Sequence, residues 1–401
     1  MALPREARQY LTAVLVQRLG TGFTLPFTLI LLHEVRHIAL PTVGLLLAIP
    51  GVVGLASVPV GGVLIDRLGP RAVLVGCQLL MGSGQLLLAF ATAPWLALIA
   101  LLLNGIGLGP SFPAGNALLN RLVPSPAQAA RAFGMQFTII NAGIGVGTLV
   151  ASAVVDVHRA WTFEVLFVGA AVASLLMAVL LPAAGRPVPS EKAAAASYRL
   201  VLSDRSFLRV CLASFLFAMT GYAALDTGFP AFARVEGHVP PSAIALSFTV
   251  NTVLIVALQL PAVRWVRSWR RTQALALAAG LWGLSWLLLG LAPSTFVALA
   301  FSALFGLGEV FQSPAMAPLV NALASDELRG RYNALSGATF SVAFVLSPAL
   351  SGFLIGNGLG RLWIGLLVAG SVVTAVVLLQ LRSRLTDLQD GLLSATAPVP
   401  G

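Results

Sequence analysis

Residues 61–71 read Gly61-Gly62-Val63-Leu64-Ile65-Asp66-Arg67-Leu68-Gly69-Pro70-Arg71, a short charged break between two apolar stretches. Each flanking stretch is long enough to cross a bilayer, whose hydrocarbon core of about 30 Å takes about 20 helical residues. Charged groups are expelled from lipid, and Gly-Pro punctuates a helix. Three charges and a Gly-Pro pair between two such segments therefore read as a tight polar hinge at a membrane face.

The whole chain has the composition that this reading requires. Hydrophobic residues make up 58% of it and charged residues 9%, against roughly 25% charged in a soluble domain, and the mean hydropathy is +0.93. The net charge of +10 comes almost wholly from arginine, with one lysine at Lys192. The arginines sit in short clusters between apolar stretches, which argues against a nucleic-acid partner and for loops that obey the positive-inside rule. Two cysteines, Cys77 and Cys211, fall inside apolar stretches, so neither a disulfide framework nor a cysteine metal site is expected. Met1–Gln9 runs directly into the first apolar stretch, and no removed signal peptide is expected.

Twelve segments reach spanning length: 8–32, 41–65, 71–91, 94–119, 130–155, 160–182, 207–232, 241–265, 272–292, 294–323, 329–356 and 359–382. Helices are the default because backbone groups in lipid must be satisfied internally. With Arg18 inside span 1, the 24 basic residues divide nineteen to four, and Arg36, Arg159, Arg234 and Arg361 form the minority side. That asymmetry predicts both termini in the cytoplasm and a multi-pass protein of the inner or plasma membrane. The expected organisation is a six-helix half over 1–182, a cytoplasmic linker over 183–206, a second half over 207–382 and a tail over 383–401.

The halves repeat. A shift of 201 residues brings Gly105 onto Gly306, Gly107 onto Gly308, Pro113 onto Pro314, Ala114 onto Ala315, Leu118 onto Leu319, Asn120 onto Asn321 and Leu122 onto Leu323. A parallel repeat of two six-helix halves, with Gly62, Asp66, Arg67, Gly69 and Arg71 spaced as G-x-x-x-D-R-x-G-x-R, resembles the major facilitator superfamily of secondary transporters. The resemblance covers essentially the whole chain and implies that superfamily's all-α fold of twelve transmembrane helices. It also implies a role for Asp66, since the family's aspartate at this position meets the start of helix 11 and latches the cytoplasmic side shut. A carboxylate near a helix N-terminus gains about 0.3–1 kcal/mol from the dipole, and here helix 11 opens with Arg329-Gly330-Arg331. The second-half copy, Pro261–Arg271, keeps basic charge but lacks the aspartate, so an asymmetric latch is expected.

By the same resemblance, helices 1, 4, 7 and 10 line a central cavity. That puts two intramembrane charges on cavity helices, Arg18 in span 1 and Glu309 in span 10. Intramembrane charges mark function by default because they are costly to bury; the alternative roles are structural. Glu309 is flanked by Gly306, Gly308 and Pro314 and is the candidate for binding and releasing a proton, with Asp226 in span 7 as a further candidate. Asn104, Asn116, Asn141, Gln17, Gln136 and Gln312 offer neutral hydrogen bonds, either to substrate or as glue between helices. Gly143, Gly145 and Gly147 loosely resemble the glycine-rich fifth-helix motif of proton-driven exporters, without its Gly-Pro core. The family's fourth-helix arginine is absent, with Asn104 near its place. His33-Glu34-Val35-Arg36-His37 matches the H-E-x-x-H zinc signature, but it closes span 1 four residues before Pro41, a poor setting for a protease helix.

The expected function is secondary active transport by alternating access, driven by an ion gradient because no Walker A sequence is present. No cofactor or metal and no enzymatic activity are expected; the partners are protons, lipid and a small-molecule substrate, and the chain is expected to be a monomer. A cavity with few fixed charges suits export of hydrophobic or amphipathic molecules in exchange for protons. The alternative is an uptake permease for a small nutrient or organic anion, with Arg18 as counter-ion. A non-transporting receptor or scaffold is less well supported, since no signalling domain is visible.

Overall fold

Apolar length determines the helices, and local chemistry sets their ends. The structure, a computed structural model, describes residues 3–123, 125–182, 198–266, 268–324 and 328–392. Eleven helices are long and apolar enough to cross a membrane: α2 (Leu40–Leu68), α3 (Pro70–Ala89), α4 (Pro94–Leu122), α5 (Pro126–Val154), α6 (Ala160–Leu180), α7 (Arg205–Val235), α8 (Pro241–Val266), α9 (Arg271–Leu291), α10 (Thr295–Leu323), α11 (Arg329–Gly356) and α12 (Gly360–Arg382). The twelfth, α1, is a pair, Arg5–Thr24 and Thr28–Val35, bent by 40° where Pro26 interrupts the backbone ladder. The expected twelve spans are thus met when this pair counts as one. Of the expected linker, 183–197 lies outside the described residues, and Tyr198–Ser203 forms a short helix just before α7.

Proline occupies the first turn of α2, α3, α4 and α5, where a missing N–H costs nothing. Ser294 caps α10, and Asp204 caps α7 by accepting from the Ser206 and Phe207 amides at 2.9 and 3.0 Å. Between α2 and α3, Gly69 adopts φ 85°, a conformation that favours glycine, so the hinge at 61–71 turns on this residue. Side chains such as Val179 (78% exposed) and Phe296 (79%) point outward, as a lipid-facing surface requires.

The 201-residue repeat is visible in the packing. Within the first half α1 packs on α5 and α6, α2 on α4, and α3 on α4 and α6; α7–α12 repeat the same pairings. Even the individual contacts recur. A methyl group added to Gly105 would meet the Pro50 backbone at 2.9 Å, and one on Gly306 would meet Asn251, which is Pro50 shifted by 201. One on Gly107 would meet the carbonyl of Cys77 at 2.7 Å, and one on Gly308 that of Ala278 at 3.1 Å, again 201 positions on.

The helix ends carrying the two described chain ends share one face, the terminal face. There the Gln9 amide donates to Leu180, Arg71 to Leu181, and the Tyr332 hydroxyl to Asp204. The tail folds back onto the same face. Asp390, fully buried, accepts from the Thr272 amide at 2.9 Å and the Thr272 hydroxyl at 2.8 Å, and Arg270 reaches both Asp387 (2.7 Å) and Asp390 (3.7 Å). Asp390 thereby caps α9, and the tail supplies acidic partners to a second-half loop that lacks its own aspartate. Asp390→Ala leaves the α9 start uncapped in a buried site, an expected loss of about 1–3 kcal/mol. A thermal unfolding midpoint equal to wild type in detergent would contradict this role.

Candidate functional site

The second half breaks its own first helix. In α7 the ladder loosens to π-type turns at Ala218–Tyr222 and Ala224–Gly228, with Gly221 at φ −110° and ψ −105°. The indole ring of Trp282 occupies the space where a Gly221 side chain would sit, so only glycine allows this close approach. The Trp286 indole N–H donates to the Thr220 carbonyl freed by the break, which satisfies it inside the helix bundle. Turns of this kind recur at functional sites.

The break turns Tyr222 into a cavity of about 440 Å³ formed by α5, α7, α8, α10 and α11. Its walls include Phe137 and Asn141 from α5, Phe217 and Tyr222 from α7, Ile255 and Gln259 from α8, Glu309, Gln312 and Met316 from α10, and Asn333, Ser336 and Phe340 from α11. These residues run from the middle of α10 towards the terminal face. The Asn251 amide donates to the Glu309 carboxylate at 2.9 Å, and the Tyr222 hydroxyl donates to Gln312 at 3.0 Å. Among the described wall residues Glu309 is the one carboxylic acid, and most of the rest of the wall surface is apolar and aromatic. Asp226 stands in the second π-type turn of α7 and is not among the wall residues.

At the face opposite the termini the halves meet closely. Gly44 of α2 lies against Gly352 of α11, where a methyl group on Gly44 would come within 2.8 Å of the Gly352 Cα. Symmetrically, α5 meets α8, and a methyl group on Gly145 would lie 2.8 Å from the Thr252 Cβ. Glu34 at the end of α1 and Arg234 at the end of α7 form a two-pronged ion pair across the halves, and Arg234 also donates to the Val239 carbonyl at 2.8 Å. Both side chains keep about a fifth of their surface exposed. Arg36 pairs with Glu164 at 3.0 Å within the first half. The H-E-x-x-H stretch is therefore spent on closing this face: Glu34 serves Arg234, and His33 bonds the Ile38 carbonyl at 2.9 Å.

The sequence candidates fall into separate places. Glu309, Gln312 and Asn141 line the large cavity. Arg18 lines a smaller cavity in the first half, beside Gln17 and Gln136. Asn104 is placed in neither; it faces α3, where it accepts from Gln85 at 3.3 Å and holds two helices together. At the hinge, Gly62, Asp66 and Arg67 are exposed, and Asp66 makes no ion pair among the described residues. Arg71 instead pins α3 to the end of α6. The side chain of Arg329 lies outside the described residues. The large cavity lies on this side of the bundle, where Asp66 is exposed. Sequence reasoning missed Asn251, Tyr222 and the Glu34–Arg234 pair. Asn251 had a signal, a polar residue in an apolar span at the position that repeats Pro50.

Twelve membrane helices in two repeated halves, seamed at one face beside a cavity that both halves line, define a membrane transporter. The chain belongs to the Major Facilitator Superfamily, whose family model matches residues 10–240 and 229–391. It is similar to the multidrug resistance protein MdtH of Photorhabdus laumondii, with 28% identity over 84% of each chain. It is also similar to the gentisate transporter of Corynebacterium glutamicum, with 26% identity over 75% of this chain and 69% of that one. Among solved structures, the nucleoside transporter NupG superposes with a TM-score of 0.77 over 94% of this chain and 99% of that one at 13% identity, a likeness of fold.

The ion pair across the halves gives a direct prediction. Glu34→Gln removes about 1 kcal/mol from a pair still partly exposed to solvent, enough for about a fivefold rise in opening at that face. Maleimide labelling of Thr249→Cys in the α5–α8 seam reads this opening. Faster labelling in Glu34→Gln, and recovery in the swapped Glu34→Arg, Arg234→Glu pair, are expected. An unchanged rate would remove the pair from the closure.

Proposed function

We propose that the protein exports hydrophobic or amphipathic small molecules across the cell membrane in exchange for protons, with the terminal face in the cytoplasm. The observation that carries this reading is the large cavity: an apolar and aromatic wall with Glu309 as its single acid, held by Asn251. Its volume of about 440 Å³ falls in the range of about 300–1,000 Å³ typical of small-molecule sites. Such a wall binds greasy cargo through burial of apolar area, while the carboxyl gives a proton a place to compete with it. The name carried by the Photorhabdus relative, a multidrug resistance protein, supports the same direction.

In this reading the cavity first opens to the cytoplasm, where cargo enters and Glu309 gives up its proton. The halves then rock about the α2–α11 and α5–α8 seams. Asp66 meets the start of α11 with Arg329 and Arg331 and holds the cytoplasmic face shut, while the Glu34–Arg234 pair parts. A proton from outside restores Glu309 as cargo leaves. Asp226, in the α7 break, is the further candidate for this step. The protein acts as a monomer, since one chain contains both halves.

A second reading, uptake of a small nutrient or organic anion, draws on one observation, the placement of Arg18 beside its own cavity. The name of the Corynebacterium relative fits it. The direction of transport in proteoliposomes under an imposed pH gradient separates the two readings.

For export, Glu309→Gln is expected to reduce pH-gradient-driven flux of a fluorescent amphipathic dye to background while equilibrium dye binding persists. Undiminished gradient-driven flux in that variant would remove Glu309 from the coupling. Equal drug accumulation in cells with and without the protein, across a broad panel, would contradict export itself.

A further inference from the structure

The first half holds a second cavity, of about 50 Å³, between α1, α3, α4 and α5. Its polar walls are Tyr10, Gln17 and Arg18 from α1, Gln78 from α3, Ser111 from α4 and Gln136 from α5. Arg18 is a cation without a counter-ion. Its Nε is enclosed with no acceptor, and it forms no salt bridge among the described residues. The acids of this half, Glu6, Glu34, Asp66, Asp156 and Glu164, all stand at or near helix ends. A guanidinium in a low-dielectric site is costly unless paired, and here the described residues offer no acidic partner.

What surrounds Arg18 is donor-rich. The Gln136 amide donates to the Tyr10 hydroxyl at 3.3 Å, which leaves the phenolic O–H free to donate onward. Gln78 is 3% exposed, its Oε1 is enclosed, and it makes no hydrogen bond among the described residues. The two ends of such an amide are set by whatever partner it finds. A guanidinium, a phenol and an unsatisfied amide around one small void form a site for negative charge. We propose that this cavity is an anion-binding site that takes a single monovalent group, either a halide ion or a carboxylate. Size limits the occupant: a cavity of about 50 Å³ is far below the roughly 300–1,000 Å³ of sites that take drug-sized ligands, so it suits a small group.

The repeat gives the site its place in the molecule. A shift of 201 residues carries Leu108 and Ser111, in its wall, onto Glu309 and Gln312 in the large cavity. The two cavities thus share wall positions across the repeat but differ in charge, with an acid on one wall and, at an unrelated position, a cation on the other. The inference holds whichever direction the protein transports.

The test uses the purified full chain in detergent, with sodium chloride and sodium acetate each titrated against sodium isethionate, a bulkier anion that is neither a halide nor a carboxylate, at constant ionic strength. The thermal unfolding midpoint of the wild type is expected to rise saturably with at least one of the two anions. Arg18→Gln is expected to lose that dependence, and Gln78→Leu, which keeps the charge, to weaken the apparent affinity about tenfold, the loss of one charge-assisted hydrogen bond. A response to chloride but not acetate identifies the ligand as an inorganic ion; a response to acetate that chloride displaces identifies a carboxylate group. No saturable response in the wild type, or an equal response in Arg18→Gln, overturns the proposal. If Arg18→Gln fails to fold, Gln78→Leu carries the test, and an unchanged affinity there is equally fatal.

Discussion

The close crossing of α2 over α11, glycine on glycine, is the contact on which the rest of the structure depends. With a side chain at Gly44 or Gly352, the backbones could not approach, because an added methyl group meets the other helix at 2.8 Å or less. Small residues at such crossings replace the hydrophobic drive that lipid removes. Together with the matching α5–α8 seam, this crossing brings the two halves together at one face. Two rigid bundles joined at one edge must splay at the other, and the cavity at Glu309 lies towards the terminal face, where Asp66 is exposed. Closing the terminal face would require the glycine seam to open, a reciprocity that makes the two halves a two-state element.

Much of this was legible in residue order because it rests on local or periodic properties. Apolar length marks a span, and the 201-residue repeat forecasts which helix packs on which, down to Gly105 on Pro50 and Gly306 on Asn251. What was not legible depends on pairs far apart in the chain. The Asn251–Glu309 bond joins residues 58 positions apart, and Glu34–Arg234 joins residues 200 apart. Hydropathy treats Glu34 as a loop charge and cannot select Arg234 from other basic loop residues. Asn104 shows the same limit in reverse: its depth suggested the cavity, but the face of α4 on which it sits turns it to Gln85. The break in α7 had a weaker signal, Gly221 and Gly228 in one span, and the tight packing of Trp282 and Trp363 against them explains why each is glycine.

The duplicated scaffold carries an unduplicated distribution of charge. Arg18 has no counterpart in the second half, where Met219 stands 201 positions on, and Glu309 has none in the first, where Leu108 stands. At the terminal face the first half keeps Asp66 in the last turn of α2, whereas the second borrows Asp387 and Asp390 from the tail to meet Arg270. Asp390 is spent on capping α9 and pins that loop, while Asp66 stays exposed. The backbones are thus symmetric while the charges they carry are not.

The central claim, that opening at one face requires closing at the other, is tested most directly by distances between spin labels. One pair at Leu68 and Gly337 spans α2 and α11 at the terminal face, and another at Leu45 and Phe353 spans them at the opposite face; all four residues are exposed. In lipid nanodiscs, changing pH or adding an amphipathic dye should shift the two distance distributions in opposite directions, one shortening as the other lengthens. Two distributions that lengthen together, or that both stay fixed while transport proceeds, would contradict the account.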